Sequence, residues 1–265
     1  MFATAYRRFR PYLHNTTWIL GERMLAMGLG LLATVLVARY LGPERFGTLA
    51  YATSLVALFG ISGHLGLHGL VVREIVKKPS LRAATLGTAA VLKFFGVLLG
   101  YLALLSYAIA YEGVGTVSFM LIAIAGGALL FTPLDVVDYW FNAFTQARYV
   151  SFARTASKLV YVGFTLILVF VGADLVMFGI PYLLQAIIAG IVLLVLFRAK
   201  SRMRLSQWHF DRLHAQHLLS QGWVIYLASF FAIIYLKMDQ VMLRWLADSS
   251  EVGVYAVAAR MSEVW

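Results

Sequence analysis

The chain has 265 residues, of which 62% are hydrophobic and only 13% are charged. Ordinary soluble domains have about a quarter of their residues charged, so this composition excludes that class. The net charge of +10 would suit nucleic acid only as a contiguous basic face on a soluble module, whereas here the basic residues lie between apolar stretches. Cysteine is absent, which excludes disulfides and thiolate metal sites. We therefore expect a membrane protein with no nucleic-acid partner.

Apolar stretches long enough for membrane-spanning helices follow one another along the chain. The first two are predicted to form a hairpin around Gly42-Pro43, because proline lacks an amide donor and biases its predecessor away from helix. The predicted spans are 16–40, 46–71, 84–110, 117–137, 155–173, 175–197 and 219–246, with an eighth beginning near 252. The sequence thus predicts an all-α polytopic membrane protein.

The connections between these spans alternate in charge. One set, counted with Arg7, Arg8 and Arg10 at the N-terminus, holds 15 of the lysines and arginines. The alternate set holds only Arg39, Arg45 and Arg244. Since cytoplasmic loops collect lysine and arginine, we predict that the N-terminus is cytoplasmic.

A weak internal repeat divides the chain. Trp18, Arg39 and Leu41 recur as Trp223, Arg244 and Leu246, and Gly47 recurs near the same offset as Gly253. We expect a six-helix lobe at 1–200, a cytoplasmic loop between lobes at 201–218, and the start of a second lobe at 219–265. The stretch 205–221, which begins in this loop, is amphipathic. It could form either a helix on the membrane surface or a flexible linker. Because the sequence stops at Trp265, inside the eighth span, the second lobe is expected to be truncated.

Charged side chains within the spans are candidate functional residues, because each costs on the order of 2.5–3.5 kcal/mol at mid-bilayer on insertion scales. The candidates for binding an anionic substrate group are Arg23, Lys93 and Lys237. The candidates for coupling transport to a cation gradient are Glu22 and Asp239. For all five residues, snorkelling to the membrane surface or a purely structural ion pair remains the alternative.

The remaining polar positions are assigned less specific roles. Arg39 and Arg244 are placed at the outer mouth, with interface anchoring as the plainer alternative. His64 and His68 have a spacing that suits a metal, but no third ligand is evident, so proton relay and interface packing stay open. Two carboxylates end span four, and they are either solvated or cation-coupling: Asp135 and Asp138. No metal site, cofactor, phosphate-binding loop or hydrolase motif is predicted, so we do not expect an enzyme.

Three stretches carry a family resemblance: Ala38-Arg-Tyr-Leu-Gly-Pro-Glu-Arg-Phe-Gly47, Asp138-Tyr-Trp-Phe-Asn-Ala143 and Asp239-Gln-Val-Met-Leu243. The chain resembles polysaccharide and O-antigen flippases, which are Wzx-type members of the MOP exporter superfamily. That superfamily also contains the lipid II flippases and the MATE multidrug exporters. The resemblance implies a MATE-like bundle of two lobes arranged around a central cavity.

The same resemblance implies a function. An undecaprenyl-diphosphate-linked oligosaccharide would cross the cytoplasmic membrane of a bacterium or archaeon by alternating access. Its partners would be this lipid-linked substrate, membrane lipids, and polysaccharide polymerase or assembly proteins. Replacing Lys93 or Lys237 with Ala would then impair export. A MATE-like cation-coupled drug antiporter and a non-transporting membrane scaffold remain the alternatives.

Overall fold

The structure is a computed structural model that describes residues 2–201 and 203–262, with side chains described from Asn15 onward. Four residues used in the topology prediction, and the chain end used for the truncation, lie outside these side-chain descriptions: Arg7, Arg8, Arg10, Arg202 and Trp265. The described residues form helices and turns without a strand. The predicted all-α class is confirmed.

The described residues form nine α-helices. Their bounds are Phe2–Gly60 (α1), Leu67–Lys77 (α2), Arg82–Tyr111 (α3), Val117–Gly126 (α4), Val136–Ala143 (α5), Ala147–Val171 (α6), Ile180–Lys200 (α7), Arg212–Leu246 (α8) and Ser249–Ser262 (α9). Six helical segments of the described chain are long and apolar enough to cross a membrane: 15–77, 79–111, 117–143, 147–171, 175–200 and 212–246. The protein is therefore a multi-pass membrane protein.

The predicted hairpin lies inside α1. Gly42 has φ 71° and ψ 172°, which is not helical, and it divides α1 into a first arm (residues 2–41) and a second arm (residues 43–60). Gly30 on the first arm and Ser54 on the second line the same cavity. Residues so far apart would be separated by roughly 36 Å on a straight helix. The two arms therefore lie side by side, as the Gly42-Pro43 sequence predicts.

Hydrogen bonds between helices define the two ends of the bundle. At one end they join Ala147 to Asn15 (2.7 Å), Arg73 to Gln221 (2.6 Å) and Thr85 to His214 (3.0 Å). At the other end they join Tyr40 to Ala173 and Trp245 to Tyr107, both at 3.1 Å. The first arm of α1, α3, α6 and α8 therefore run in one direction, and the second arm of α1 and α7 run in the other.

The structure differs from the predicted spans at three boundaries. Span two ends early, because Leu65 and Gly66 have φ values of 48° and 63° and separate the short helix α2. Span four changes to a 3₁₀-helix at Gly127–Asp135, which contains Pro133. Helix α6 begins at Ala147 rather than at 155.

The fourth difference concerns the loop between the proposed lobes. The stretch 205–221 holds a short 3₁₀-helix, Leu205–Gln207, and then the start of α8, which begins at Arg212 and continues into the seventh span. Asp211 caps it by accepting hydrogen bonds from the amides of Leu213 and His214, at 2.9 and 3.1 Å. Asp211 is a strong N-cap, and this explains why the helix starts before the apolar sequence does.

Helix α9 packs closely against α1. A Cβ atom built on Gly253 would overlap the carbonyl oxygen of Pro43, and one built on Gly47 would overlap the carbonyl oxygen of Ser249. The two glycines that the sequence repeat pairs with each other thus face one another. This close approach holds α9, and with it Arg260, against the hairpin.

Candidate functional site

A cavity of about 240 Å³ lies between both arms of α1 and helices α6 to α9. We call it the cationic cavity, after the three basic side chains that line it: Lys158 from α6, Lys237 from α8 and Arg260 from α9. Its described lining includes no aspartate or glutamate. Three separate helices therefore bring positive charge to one space, and the described part of its wall has no carboxylate.

The cations lie where the first arm of α1 has no side chain. A Cβ atom on Gly30 would lie 3.4 Å from Nη2 of Arg260 and 3.7 Å from Nζ of Lys158. The same lysine Nζ lies 4.4 Å from the ring centroid of Tyr161, within reach of a cation–π contact. Like charges this close repel each other, so the arrangement suits a ligand that carries more than one negative charge.

The rest of the described wall is uncharged and includes both polar and apolar side chains. Ser54 donates a 2.6 Å hydrogen bond to Oε1 of Gln240, which joins the second arm of α1 to α8. Thr34 donates to the carbonyl of Gly30 at 2.9 Å, so its donor is satisfied within its own helix. The rings of Tyr161 and Tyr182 meet edge to face, with centroids 5.1 Å apart. Such hydroxyls and amides can bind the polar parts of a ligand without changing the charge of the site.

A second cavity of about 450 Å³ adjoins the first. We call it the adjoining cavity. Thr53 and Tyr182 line both cavities. The polar side chains that are found only in the adjoining cavity are His64, Thr132, Asp135 and Gln185. One continuous polar wall therefore connects the two spaces.

Lys93 lies elsewhere, in a buried charge cluster formed by α3, α5 and α6. Its Nζ lies 3.3 Å from the hydroxyl of Tyr139, and the lysine is 4% exposed. Asp138, 3% exposed, forms a salt bridge with Arg154. Asn142 donates to Asp138 at 3.3 Å. In this cluster both signs of charge are present, and most polar groups already have a protein partner.

The structure thus separates the three cations predicted to bind an anion. Lys237 lines the cationic cavity, whereas Lys93 lies in the buried charge cluster. Arg23 is exposed on the first arm of α1. Its neighbour Glu22 lines a groove of about 570 Å³ between α1 and α6, beside Trp18.

The other predicted positions also lie outside the described lining of the cationic cavity. Asp239 accepts a hydrogen bond from Tyr255, which links α8 to α9. Arg244 donates to Ser249 at 2.6 Å, and Arg39 is exposed next to Tyr40. Both arginines lie at the end of the bundle that has few cations, as the alternating loop charges predict.

Two residues that line the cationic cavity are not among the candidates of the sequence analysis. Lys158 was counted with the cation-rich connections, although it lies close to the start of the predicted span 155–173. With α6 beginning at Ala147, Lys158 is eleven residues into the helix, or about 17 Å along its axis. Arg260 belongs to neither set of connections, and nothing in the sequence indicates that it faces Lys158. A signal for Lys158 was available in the helix-compatible sequence that begins at Ala147.

The two histidines that the sequence analysis singles out lie in different surroundings. His64 lines the adjoining cavity, whereas the imidazole of His68 lies 3.3 Å from the amide nitrogen of Asn142. Within the described residues, no three histidine, aspartate or glutamate side chains are grouped to hold a metal ion.

Comparison with protein families identifies the chain. The family model described as polysaccharide biosynthesis protein matches residues 12–264. Neither the curated proteins nor the solved structures give a match. This membership supports a polysaccharide-related role in membrane transport or flipping. The chain belongs to the polysaccharide biosynthesis protein family, that of the Wzx-type polysaccharide and O-antigen flippases of the MOP superfamily.

Proposed function

We propose that this protein flips a lipid-linked oligosaccharide, of the undecaprenyl-diphosphate type, across the cytoplasmic membrane. One observation carries the proposal: the cationic cavity places three cations from α6, α8 and α9 around one space with no described carboxylate in its lining. A diphosphate offers clustered negative charge and many acceptor oxygens. Lysine and arginine are the side chains that bind such groups.

The helix directions support a topology for this transport. The end of the bundle that holds Arg73 and Lys78 is the cation-rich end, and we place it in the cytoplasm together with the N-terminus. The host membrane is then the cytoplasmic membrane of a bacterium or archaeon. The cavity is lined by helices on both sides of the proposed lobe boundary, since α8 and α9 lie in 219–265. Rocking of 1–200 against this second part would alternate access to it, with 201–218 as the connection.

A carboxylate next to the cavity is our candidate for cation coupling. Asp239 precedes Gln240, which lines the cationic cavity, and it accepts a hydrogen bond from Tyr255 on α9. Protonation of Asp239 would weaken that link between α8 and α9, and hence change how α9 packs beside the cavity. Glu22, in the groove between α1 and α6, is the second candidate.

The alternatives make different demands on the same cavity. A cation-coupled drug antiporter needs negative charge where its cationic drug binds, and the cationic cavity has the opposite sign. A non-transporting scaffold needs no charged cavity, and it would give no transport by the purified protein. The positive cavity therefore favours the flippase.

The test uses the full-length protein in sealed vesicles with a fluorescent undecaprenyl-diphosphate oligosaccharide. We expect movement of the probe between leaflets that depends on the protein. A variant with all three cavity cations neutralised (Lys158→Gln, Lys237→Gln and Arg260→Gln) should lose it. Arg198→Gln, an exposed cation near the end of α7, is the matched control and should transport normally. Equal rates for the wild type and the triple variant would contradict the proposal.

A further inference from the structure

The adjoining cavity differs in charge from the cationic cavity beside it. Asp135 is its only charged lining residue among those described, and no lysine or arginine lines it. Asp135 interacts electrostatically with Lys93, Arg154 and His64. Lys93 contacts Tyr139, Arg154 pairs with Asp138, and His64 lines the same cavity. The described lining of the adjoining cavity therefore differs in charge from that of the cationic cavity, which three basic side chains line.

The position of the adjoining cavity relates it to the same ligand. Thr53 and Tyr182 form a wall common to both cavities. The adjoining cavity has almost twice the volume of the cationic one, at about 450 against 240 Å³. A ligand held by its diphosphate in the cationic cavity would place the group attached to that diphosphate on the far side of this common wall.

The lining chemistry suits an uncharged polar group. Gln185 offers an amide donor and acceptor, Asp135 offers carboxylate acceptors, and Tyr182 offers a ring and a hydroxyl. Apolar side chains such as Phe131 and Ile233 complete the wall. Few directional polar groups on a mostly apolar surface are typical of small-ligand sites, and sugar rings present hydroxyls and C–H faces that match them. A carboxylate on the sugar would meet Asp135.

We propose that the adjoining cavity binds the sugar attached to the diphosphate and selects a sugar without negative charge, with Asp135 and Gln185 as the specificity-determining residues. This inference rests on the proposed flippase function and adds the charge class of its substrate. Asp135 disfavours a uronic acid by repulsion, and Gln185 binds hydroxyls that both classes of sugar carry.

The experiment compares two probes in the vesicle assay. Both are undecaprenyl-diphosphate oligosaccharides, and they differ only at C6 of the sugar joined to the diphosphate, which is an alcohol in one and a carboxylate in the other. We expect the wild type to move the neutral probe about tenfold faster, because like charges placed together in a binding site are strongly unfavourable. Asp135→Asn should bring the ratio of the two rates toward one.

Two further variants keep the test informative if Asp135→Asn folds poorly. Gln185→Glu adds a carboxylate to the same wall and should raise the ratio above that of the wild type. Asp174→Asn makes the same charge change as Asp135→Asn at an exposed turn between α6 and α7, and it should leave the ratio unchanged.

The outcomes separate this inference from the function on which it rests. Equal wild-type rates for the two probes, or a ratio that neither Asp135→Asn nor Gln185→Glu moves, would overturn the specificity while leaving the flippase intact. No protein-dependent movement of either probe would overturn both.

Discussion

The cationic cavity and the buried charge cluster both contain basic side chains within the helical bundle, but the charges around those side chains differ. In the cluster, Asp138 pairs with Arg154 and Tyr139 contacts Lys93. In the cavity, Lys158, Lys237 and Arg260 share a space whose described lining has no carboxylate. The first arrangement brings charges of both signs together, and the second brings three cations to one space.

The comparison shows that depth in an apolar span does not by itself mark a binding residue. Lys93 is the more deeply buried lysine, and its surroundings already compensate it. A buried pair holds helices in place, and removing one partner leaves an uncompensated charge. Concentrated charge of one sign instead costs stability and is retained where binding needs it. Changes in the two regions should therefore affect different properties of the protein.

The largest effect is expected from reversing a charge in the cavity. Lys237→Glu should lower the rate of flipping in the vesicle assay by at least about a hundredfold, because it repels the diphosphate and pairs with the remaining cations. The free energy of unfolding, measured by thermal unfolding in detergent, should change by less than about 1 kcal/mol. Arg198→Glu is the control, and it should retain transport. Transport by Lys237→Glu at the wild-type rate would remove this lysine from the site.

Breaking the buried pair should instead reduce stability. Asp138→Ala leaves Arg154 without its partner, and we expect a loss of about 3 kcal/mol in the free energy of unfolding. The side chain of Arg154 is 52% exposed and can turn toward water, so the loss should lie at the low end for buried pairs. Thermal or denaturant unfolding of the purified protein measures it. Asp174→Ala, at an exposed turn, should cost much less.

An outcome in which Asp138→Ala unfolds like the wild type but no longer transports would contradict the distinction between the two regions. It would place the buried charge cluster in the transport machinery.

A smaller loss is expected where α9 meets α1. Gly253→Ala places a methyl group on the carbonyl oxygen of Pro43, and such overpacking typically costs about 1–3 kcal/mol. Because α9 also carries Arg260, the rate of flipping should fall as well. Gly21→Ala is the matched control, since no other atom lies within 4 Å of its added Cβ. If Gly253→Ala and Gly21→Ala behave alike in unfolding and in transport, α9 is not held as described.

The smallest effect is expected in the wall of the cavity. Ser54→Ala removes the donor to Gln240 and leaves that buried amide oxygen without it, at a cost of about 1 kcal/mol. A double-mutant cycle with Gln240→Ala should show coupling between the two residues. Ser262→Ala, at an exposed position, is the control. Additive losses from Ser54→Ala and Gln240→Ala would contradict the hydrogen bond.

Much of the fold follows from local sequence. The Gly42-Pro43 break, the long apolar helices and their alternating directions were predicted, because proline geometry and apolar length act locally. The breaks at Leu65–Gly66 and within Gly127–Asp135 were not predicted. The first depends on how neighbouring helices pack, because Gly66 lies directly against the backbone of Gly222, where a Cβ atom would overlap its carbonyl oxygen. The second contains Pro133, which disrupts an α-helix locally.

The site was only partly predictable for the same reason. Lys237 stood out as a charge deep in an apolar span. Lys158 follows a stretch that reads as a polar loop, and its place in a cavity requires knowing that α6 starts at Ala147. The contact between Lys93 and Tyr139 joins residues 46 positions apart. Pairing between helices is a property of tertiary packing, which one sequence does not reveal.

The central claim is that the cationic cavity binds the diphosphate of the substrate. Isothermal titration of inorganic pyrophosphate into the purified full-length protein tests it without requiring transport. We predict saturable binding to the wild type that weakens by at least about tenfold when Lys158, Lys237 and Arg260 are all changed to Gln, and that also weakens as salt rises. Undiminished binding of pyrophosphate to a folded triple variant would contradict the claim.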